Sequence, residues 1–183
     1  RLNIQPVKEL NEIGQFRYIY YYEVNDLCYY VGLDLTNEET KKLGLKLRVY
    51  DSGMNLKFES AGQGDSYTYN PTFFRNPNLS PHTVLLVHIS NEGSWGQGVY
   101  IIEGEQFKYI GMIEVSNWAK EPEWYSDIAP DTEITKVKDT LIFSFQPSKI
   151  VFDPSGREEK VLNGNELRYE YSGGKLHVVN NSE

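Results

Sequence analysis

"FRYIYYYEVNDLCYYVGL", residues 16–33, is the stretch that decides the fold class. Each half is a run of aromatic and β-branched residues, the kinds of side chain that pack well on a pleated surface. Between the halves stands Asn25-Asp26, two residues that tolerate positive φ, and such a pair is the mark of a tight antiparallel hairpin. The chain is therefore expected to open as a β-hairpin. The whole composition agrees: 14 of the 183 residues are tyrosine, 39% are hydrophobic and 24% are charged. A domain of that length hides about 70% of the surface its unfolded chain exposes, so a core needs no covalent staples. Cys28 has no second cysteine to pair with and reads as a small strand residue.

Outward from the hairpin the strand signals continue, with one exception. In "DLTNEETKKLG", Thr36 and Glu39 have the spacing of a capping box and Gly44 suits a left-handed helix end, which predicts one short helix near residues 37–43. From Leu45 the period is two, with Leu45, Leu47 and Val49 alternating with Lys46, Arg48 and Tyr50. "DSGMN" and "AGQGD" are reversals around "LKFES" and "SYTYNPTFF". The Pro- and Asn-rich loop 75–82 is a connection, and the one place where a weak domain boundary would fall.

"TVLLVHIS", "VYIIE" and "QFKYIGMIEV" make a meander, with the glycine-rich residues 93–98 as its first bend. Residues 84–89 are apolar on both faces and belong in a central strand. Residues 117–133 hold no period and read as a surface excursion. After them, "TLIFSF", "KIVF", "KVL", "ELRYEY" and "LHVV" are short strands divided by the turns at Asp153-Pro154-Ser155-Gly156, Asn163-Gly164 and Ser172-Gly173-Gly174. "VYDSG" at residues 49–53 is echoed by "VFDPSG" at 151–156, each joining an apolar strand to a more polar one. The expected fold is all-β: ten to twelve strands in antiparallel hairpins and meanders, forming a sandwich or a small propeller-like, curled sheet within a single domain.

Charge narrows the partners. Lysine and arginine number 18 against 26 acids, for a net charge of −8, so nucleic acid and anionic membrane surfaces are repelled on average. No apolar run is long enough to insert in a bilayer. With no methionine before Arg1 and no signal-like apolar core, the expectation is an exported chain whose targeting segment has been removed: secreted, periplasmic or at the cell surface.

Chemistry is sought where large aromatics leave the strand rhythm. In "NEGSWGQG", Trp95 lies among glycines, with Gln97 beside it as a hydrogen-bonding group; it either stacks on a sugar ring or peptide or folds against the core edge. In "NWAKEPEWYSD", Trp118, Trp124 and Tyr125 either pin a loop or line a cleft, and Glu121, Glu123 and Asp127 stand beside them. Those carboxylates frame a glycosidase-like hydrolase as the alternative, which needs a paired geometry that sequence spacing does not supply. His82, His88 and His177 have no metal-ligand spacing, and no phosphate loop, nucleophile elbow or calcium loop is present, so no cofactor or metal is expected. The sequons at Asn78 and Asn180 count only in a eukaryotic secreted setting. The expected function is a non-catalytic, extracytoplasmic binding or interaction domain that meets carbohydrate or protein through Trp95, Gln97, Trp118, Trp124, Tyr125, Glu121 and Glu123. A purely structural envelope module is the third reading.

Overall fold

Asn25 and Asp26 take φ of 51° and 62° and turn β2 (Phe16–Val24) into β3 (Leu27–Asp34), the hairpin expected from the sequence. The computed structural model describes residues 1–36, 44–118, 126–146, 149–156 and 159–181. Among them the fold is all-β, with sixteen strands in four antiparallel sheets and two single-turn 3-10 segments. No helix among the described residues is long and apolar enough to cross a membrane. The helix expected near residues 37–43 lies outside the described residues.

The chain divides into two compact units, residues 3–69 and residues 1–2 with 70–183. The first holds one five-stranded sheet, in the order β1 (Val7–Ile13), β2, β3, β4 (Lys46–Asp51), β5 (Leu56–Glu59). One of its faces explains the tyrosine content. Tyr18 and Tyr30 meet at 4.7 Å between ring centroids, Tyr21 and Tyr30 at 5.1 Å, and Tyr30 and Tyr50 at 5.7 Å, with Phe16 in the same cluster. Offset and edge-on ring pairs add to the burial of their area. Opposite Tyr18 stands Gly32, where β2 carries a bulge between Tyr18 and Tyr20. A Cβ at Gly32 would fall 2.2 Å from the Arg17 carbonyl oxygen and 2.6 Å from Tyr18 Cα, so no other residue permits this approach.

Lys46 and Arg48 occupy the polar positions of the period-two pattern, yet Lys46 is only 5% exposed. Lys46 is buried and Arg48 half-buried where acids meet them. Lys46 Nζ lies 3.5 Å from Asp34 and 3.4 Å from Glu59, Arg48 Nη2 lies 3.1 Å from Asp34, and Arg48 Nε pairs with Glu59. Burial pushes the Asp34 carboxyl up, but hydrogen bonds from Thr36 and the charges of Lys46 and Arg48 outweigh it and hold it below the ordinary range.

Apart from Thr68 and Tyr69, the second unit holds β6 (Thr68–Phe74), β7 (Thr83–Ser90), β8 (Ser94–Glu103) and β9 (Gln106–Ile113), which form one sheet in that order, with Pro71 on its edge strand β6. The β7, β8, β9 meander is the one expected. A second sheet runs β10 (Val115–Asn117), β13 (Ile150–Phe152), β14 (Lys160–Leu162), and a third β11 (Thr132–Val137), β12 (Thr140–Phe145), β15 (Leu167–Ser172), β16 (Lys175–Asn180). One core joins all three: Val84 and Leu86 of β7, Val99 of β8, Ile113 of β9, Val115 of β10, Phe143 of β12 and Ile150 of β13 are each fully buried. Strand β7 is buried along both faces, as its apolar sequence requires.

Several local expectations are corrected. There are more strands than ten to twelve, because the charged β1 and the short β10 and β11 carry little apolar period. The bend between β7 and β8 is confined to residues 91–93, so Gly96 and Gly98 lie inside β8 and not in a turn. The excursion is shorter than residues 117–133, since Asn117 still belongs to β10 and β11 starts at Thr132. The divider expected at Asn163-Gly164 is a turn, the 3-10 segment Gly164–Glu166, with the Asn163 backbone N–H donating to Glu166 Oε2 at 2.7 Å. Residues 75–82 are the connection expected between β6 and β7, with turns at 77–81.

Candidate functional site

The core face of β7 runs Val84, Leu86, His88, and across the ladder Val99 and Gln97 of β8 stand opposite Leu86 and His88. An apolar face therefore ends in a buried polar pair. Gln97 is fully buried and His88 6% exposed. A buried polar group needs partners, and Asp127, in the turn before the 3-10 segment Ala129–Asp131, supplies one. Gln97 Nε2 lies 3.1 Å from His88 Nδ1 and donates to Asp127 Oδ1 at 3.1 Å. The Ala129 backbone N–H donates to the same Asp127 oxygen at 2.8 Å. His88 Nδ1 and Asp127 Oδ1 are 3.8 Å apart. With Gln97 donating to both, the neutral His88 ring carries its proton on Nε2. Gln97 Oε1 is buried and has no hydrogen-bond partner among the described residues.

The two titrating groups are driven toward neutrality. Burial raises the Asp127 carboxyl, and the nearby His88, the Ala129 and Gln97 hydrogen bonds offset only part of that rise. Burial lowers the His88 imidazole, and the Asp127 charge opposes that shift without cancelling it.

Further hydrogen bonds join the two flanks of the aperiodic segment. Asn117 and Ser126 exchange backbone hydrogen bonds of 3.0 and 3.2 Å, bringing together the two ends of residues 118–125. Asn117 Nδ2 donates to Asp131 Oδ2 at 3.0 Å, and Thr132 Oγ1 donates to the Ile128 carbonyl at 2.9 Å. The buried hydroxyls of Ser94 in β8 and Ser116 in β10 bond to each other, and Ser94 also accepts from the Gly96 N–H at 3.2 Å. Gly96 has φ +108°, and a Cβ there would lie 2.3 Å from the Ile113 carbonyl oxygen, which is why glycine follows Trp95.

Trp95 is partly exposed within β8. Trp118 is partly exposed at the start of the pinned segment, with Lys149 Nζ 4.9 Å from its ring centroid, a cation–π arrangement. Gln97 is enclosed. Glu121, Glu123, Trp124 and Tyr125 lie outside the described residues. Of the named set, Gln97 bonds to Asp127, and among the described residues no ring contact links Trp95 to Trp118. Sequence reasoning placed Asp127 only among carboxylates and His88 only as a sheet residue. The signal that unites them is parity: His88 sits on the core-facing phase of an otherwise apolar strand, and a polar group there demands a buried partner.

No group of three His, Cys, Asp or Glu side chains able to hold a metal ion occurs among the described residues. A cavity of about 510 Å³ lies against Leu2, Arg75, Asn76, Pro77, Ser80 and Pro81, with no carboxylate or imidazole among the described residues of its wall. Comparison with protein-family models, with curated proteins and with solved structures finds no match to the chain.

Proposed function

We propose that the chain is a non-catalytic, extracytoplasmic binding module that recognises a glycan or protein through aromatic side chains on its connections, Trp118 and Trp95 first among them. The observation that carries this reading is the pairing of Asn117 with Ser126, which holds both ends of a tryptophan-bearing, aperiodic segment beside a buried polar cluster. A rigid scaffold under a variable connection is the ordinary way to present a recognition surface. Trp124, Tyr125, Glu121 and Glu123 complete the proposed contact set, and Gln97, being enclosed, serves as a positioning residue. Titration of the chain with a panel of glycans and peptides, read by tryptophan fluorescence, tests it. The expected result is a saturable change that Trp118→Ala and Trp95→Ala abolish without altering the circular-dichroism spectrum. No response to any ligand, with both substitutions lowering only thermal stability, overturns it.

A second reading, a carboxylate-dependent hydrolase, is favoured by one observation: Asp127 has a raised carboxyl beside an imidazole, the environment of an acid–base group. Turnover of chromogenic glycosides or esters that Asp127→Asn removes would establish that reading in place of the first.

A further inference from the structure

We infer that the free edge of β1 is a self-association surface that pairs, antiparallel, with β1 of a second copy of this chain. Among the described residues strand β1 is the edge of its sheet, bonded to β2 alone, and six of its seven residues are exposed. Two of them are large and apolar, Val7 at 43% and Leu10 at 72% exposure. An unpaired edge with apolar side chains is a template for another strand.

The sequence of the strand says which strand. In "VKELNEI", the register with β2 sets Val7, Asn11 and Ile13 on the tyrosine face, opposite Tyr21, Tyr18 and Phe16, and sets Lys8 and Glu12 on the other face, opposite Tyr20 and Arg17; it shifts between Lys8 and Asn11, so Glu9 and Leu10 have no β2 partner in that register. A two-fold axis through Leu10 then pairs only residues of the same face. Val7 meets Ile13 of the second copy, Lys8 meets Glu12, Glu9 meets Asn11, and Leu10 meets Leu10. Each apolar residue faces an apolar one, and the lysine faces an acid twice over, because the interface is isologous. Neighbouring registers lack this match. An axis at Glu9 sets Glu9 against Glu9 and Lys8 against Leu10, and an axis at Asn11 sets Leu10 against Glu12 and Glu9 against Ile13. Lysine on an edge ordinarily repels a like strand. Here it is complemented by Glu12, whose side chain already pairs with Arg17 at 2.8 Å and is thereby held on that face. Seven residues of strand bury less surface than a standard interface, so the pairing is weak and grows with concentration.

Sedimentation velocity of the 183-residue chain, from about 10 μM to about 1 mM, tests it. The expected result is a rise from one copy toward two. Lys8→Glu sets acid against acid at both symmetry-related pairs, and Leu10→Lys sets charge against charge on the axis; each is expected to weaken the dimer about tenfold or more. Glu12→Lys alone is likewise expected to be monomeric, while an equimolar mixture of Lys8→Glu and Glu12→Lys chains pairs again, since every lysine then faces a glutamate. A chain that stays monomeric at every loading, or a dimer that survives both Lys8→Glu and Leu10→Lys with unchanged far-UV spectra, overturns the inference. All these positions are exposed, so Lys8→Glu and Leu10→Lys decide the matter even if Glu12→Lys fails to fold.

Discussion

Replacing either half of the His88–Asp127 pair should tilt the pH dependence of stability, and the two replacements should tilt it in opposite directions. His88 has its imidazole lowered from an ordinary 6.5. The unfolded chain therefore takes up that proton first, and stability is lost as pH falls from about 6.5 toward the folded value. Asp127 has its carboxyl raised from 3.8. There the folded chain takes up the proton first, and stability is gained as pH falls from the raised value toward 3.8. In the intact protein the two effects oppose each other. Asp127→Asn keeps an acceptor for the Ala129 and Gln97 donors, removes the gain, and also removes the anion that supports protonation of His88, so the loss steepens. His88→Gln removes the loss and lets the Asp127 carboxyl rise further.

One proton contributes at most about 1.4 kcal/mol per pH unit. Between pH 6.5, the ordinary imidazole value, and pH 5.5 the two variants are expected to diverge by about 1 kcal/mol, carried by the His88 proton. Urea unfolding read by tryptophan fluorescence is the assay, because all three tryptophans of the sequence lie in residues 70–183, the unit that holds the pair. A common slope for both variants and the parent chain would refute the assignment of opposed shifts.

Gly32→Ala drives a methyl into backbone 2.2 Å away and is expected to destabilise residues 3–69 by about 2–3 kcal/mol; Gly93→Ala, which meets nothing within 4 Å, is expected to change stability by less than about 0.5 kcal/mol. Hydrogen exchange of the β2 and β3 amides separates the two outcomes. Phe143→Ala empties the middle of the three-sheet core, where the ring is fully buried, and is expected to cost about 3–5 kcal/mol in urea unfolding. Asn55→Ala removes the side-chain donors that, with the Asn55 and Gly53 backbone N–H groups and Lys57, hold the Asp51 carboxyl down at about 2. Carbon-13 titration of Asp51 should then show its midpoint moving up toward the ordinary 3.8.

What was legible in the sequence is what local chemistry fixes. Asn25-Asp26 could only be a hairpin turn between two β runs, and β7 could only be central, because neither of its faces offers a polar alternation. Strand β1 escaped because "VKELNEI" is solvated along nearly its whole length and pairs on one side only, so no buried face imprints a period on it. Gly96 and Gly98 suggested a bend because glycine favours turns, but Gly96 is required inside β8 by the close approach of the Ile113 carbonyl, a tertiary demand that local propensity does not record. The same reason hides the polar cluster. His88, Gln97 and Asp127 span 39 positions of sequence, and only the β7–β8 register and the turn at Ile128 bring them together. Lys46 and Arg48 followed the polar phase of their strand, and burial came from Asp34 and Glu59 on neighbouring strands.

The proposal that recognition resides in connection-borne aromatics is tested most directly by the indole N–H resonances of a nitrogen-15-labelled sample. The three tryptophans give three such signals, and each is assigned by its own Trp→Phe variant. On titration with a ligand from the glycan and peptide panel, the Trp118 and Trp95 signals are expected to move together and saturate at one common dissociation constant. Indole signals that stay fixed throughout, while the ligand perturbs amides elsewhere or binds nothing at all, would contradict the account.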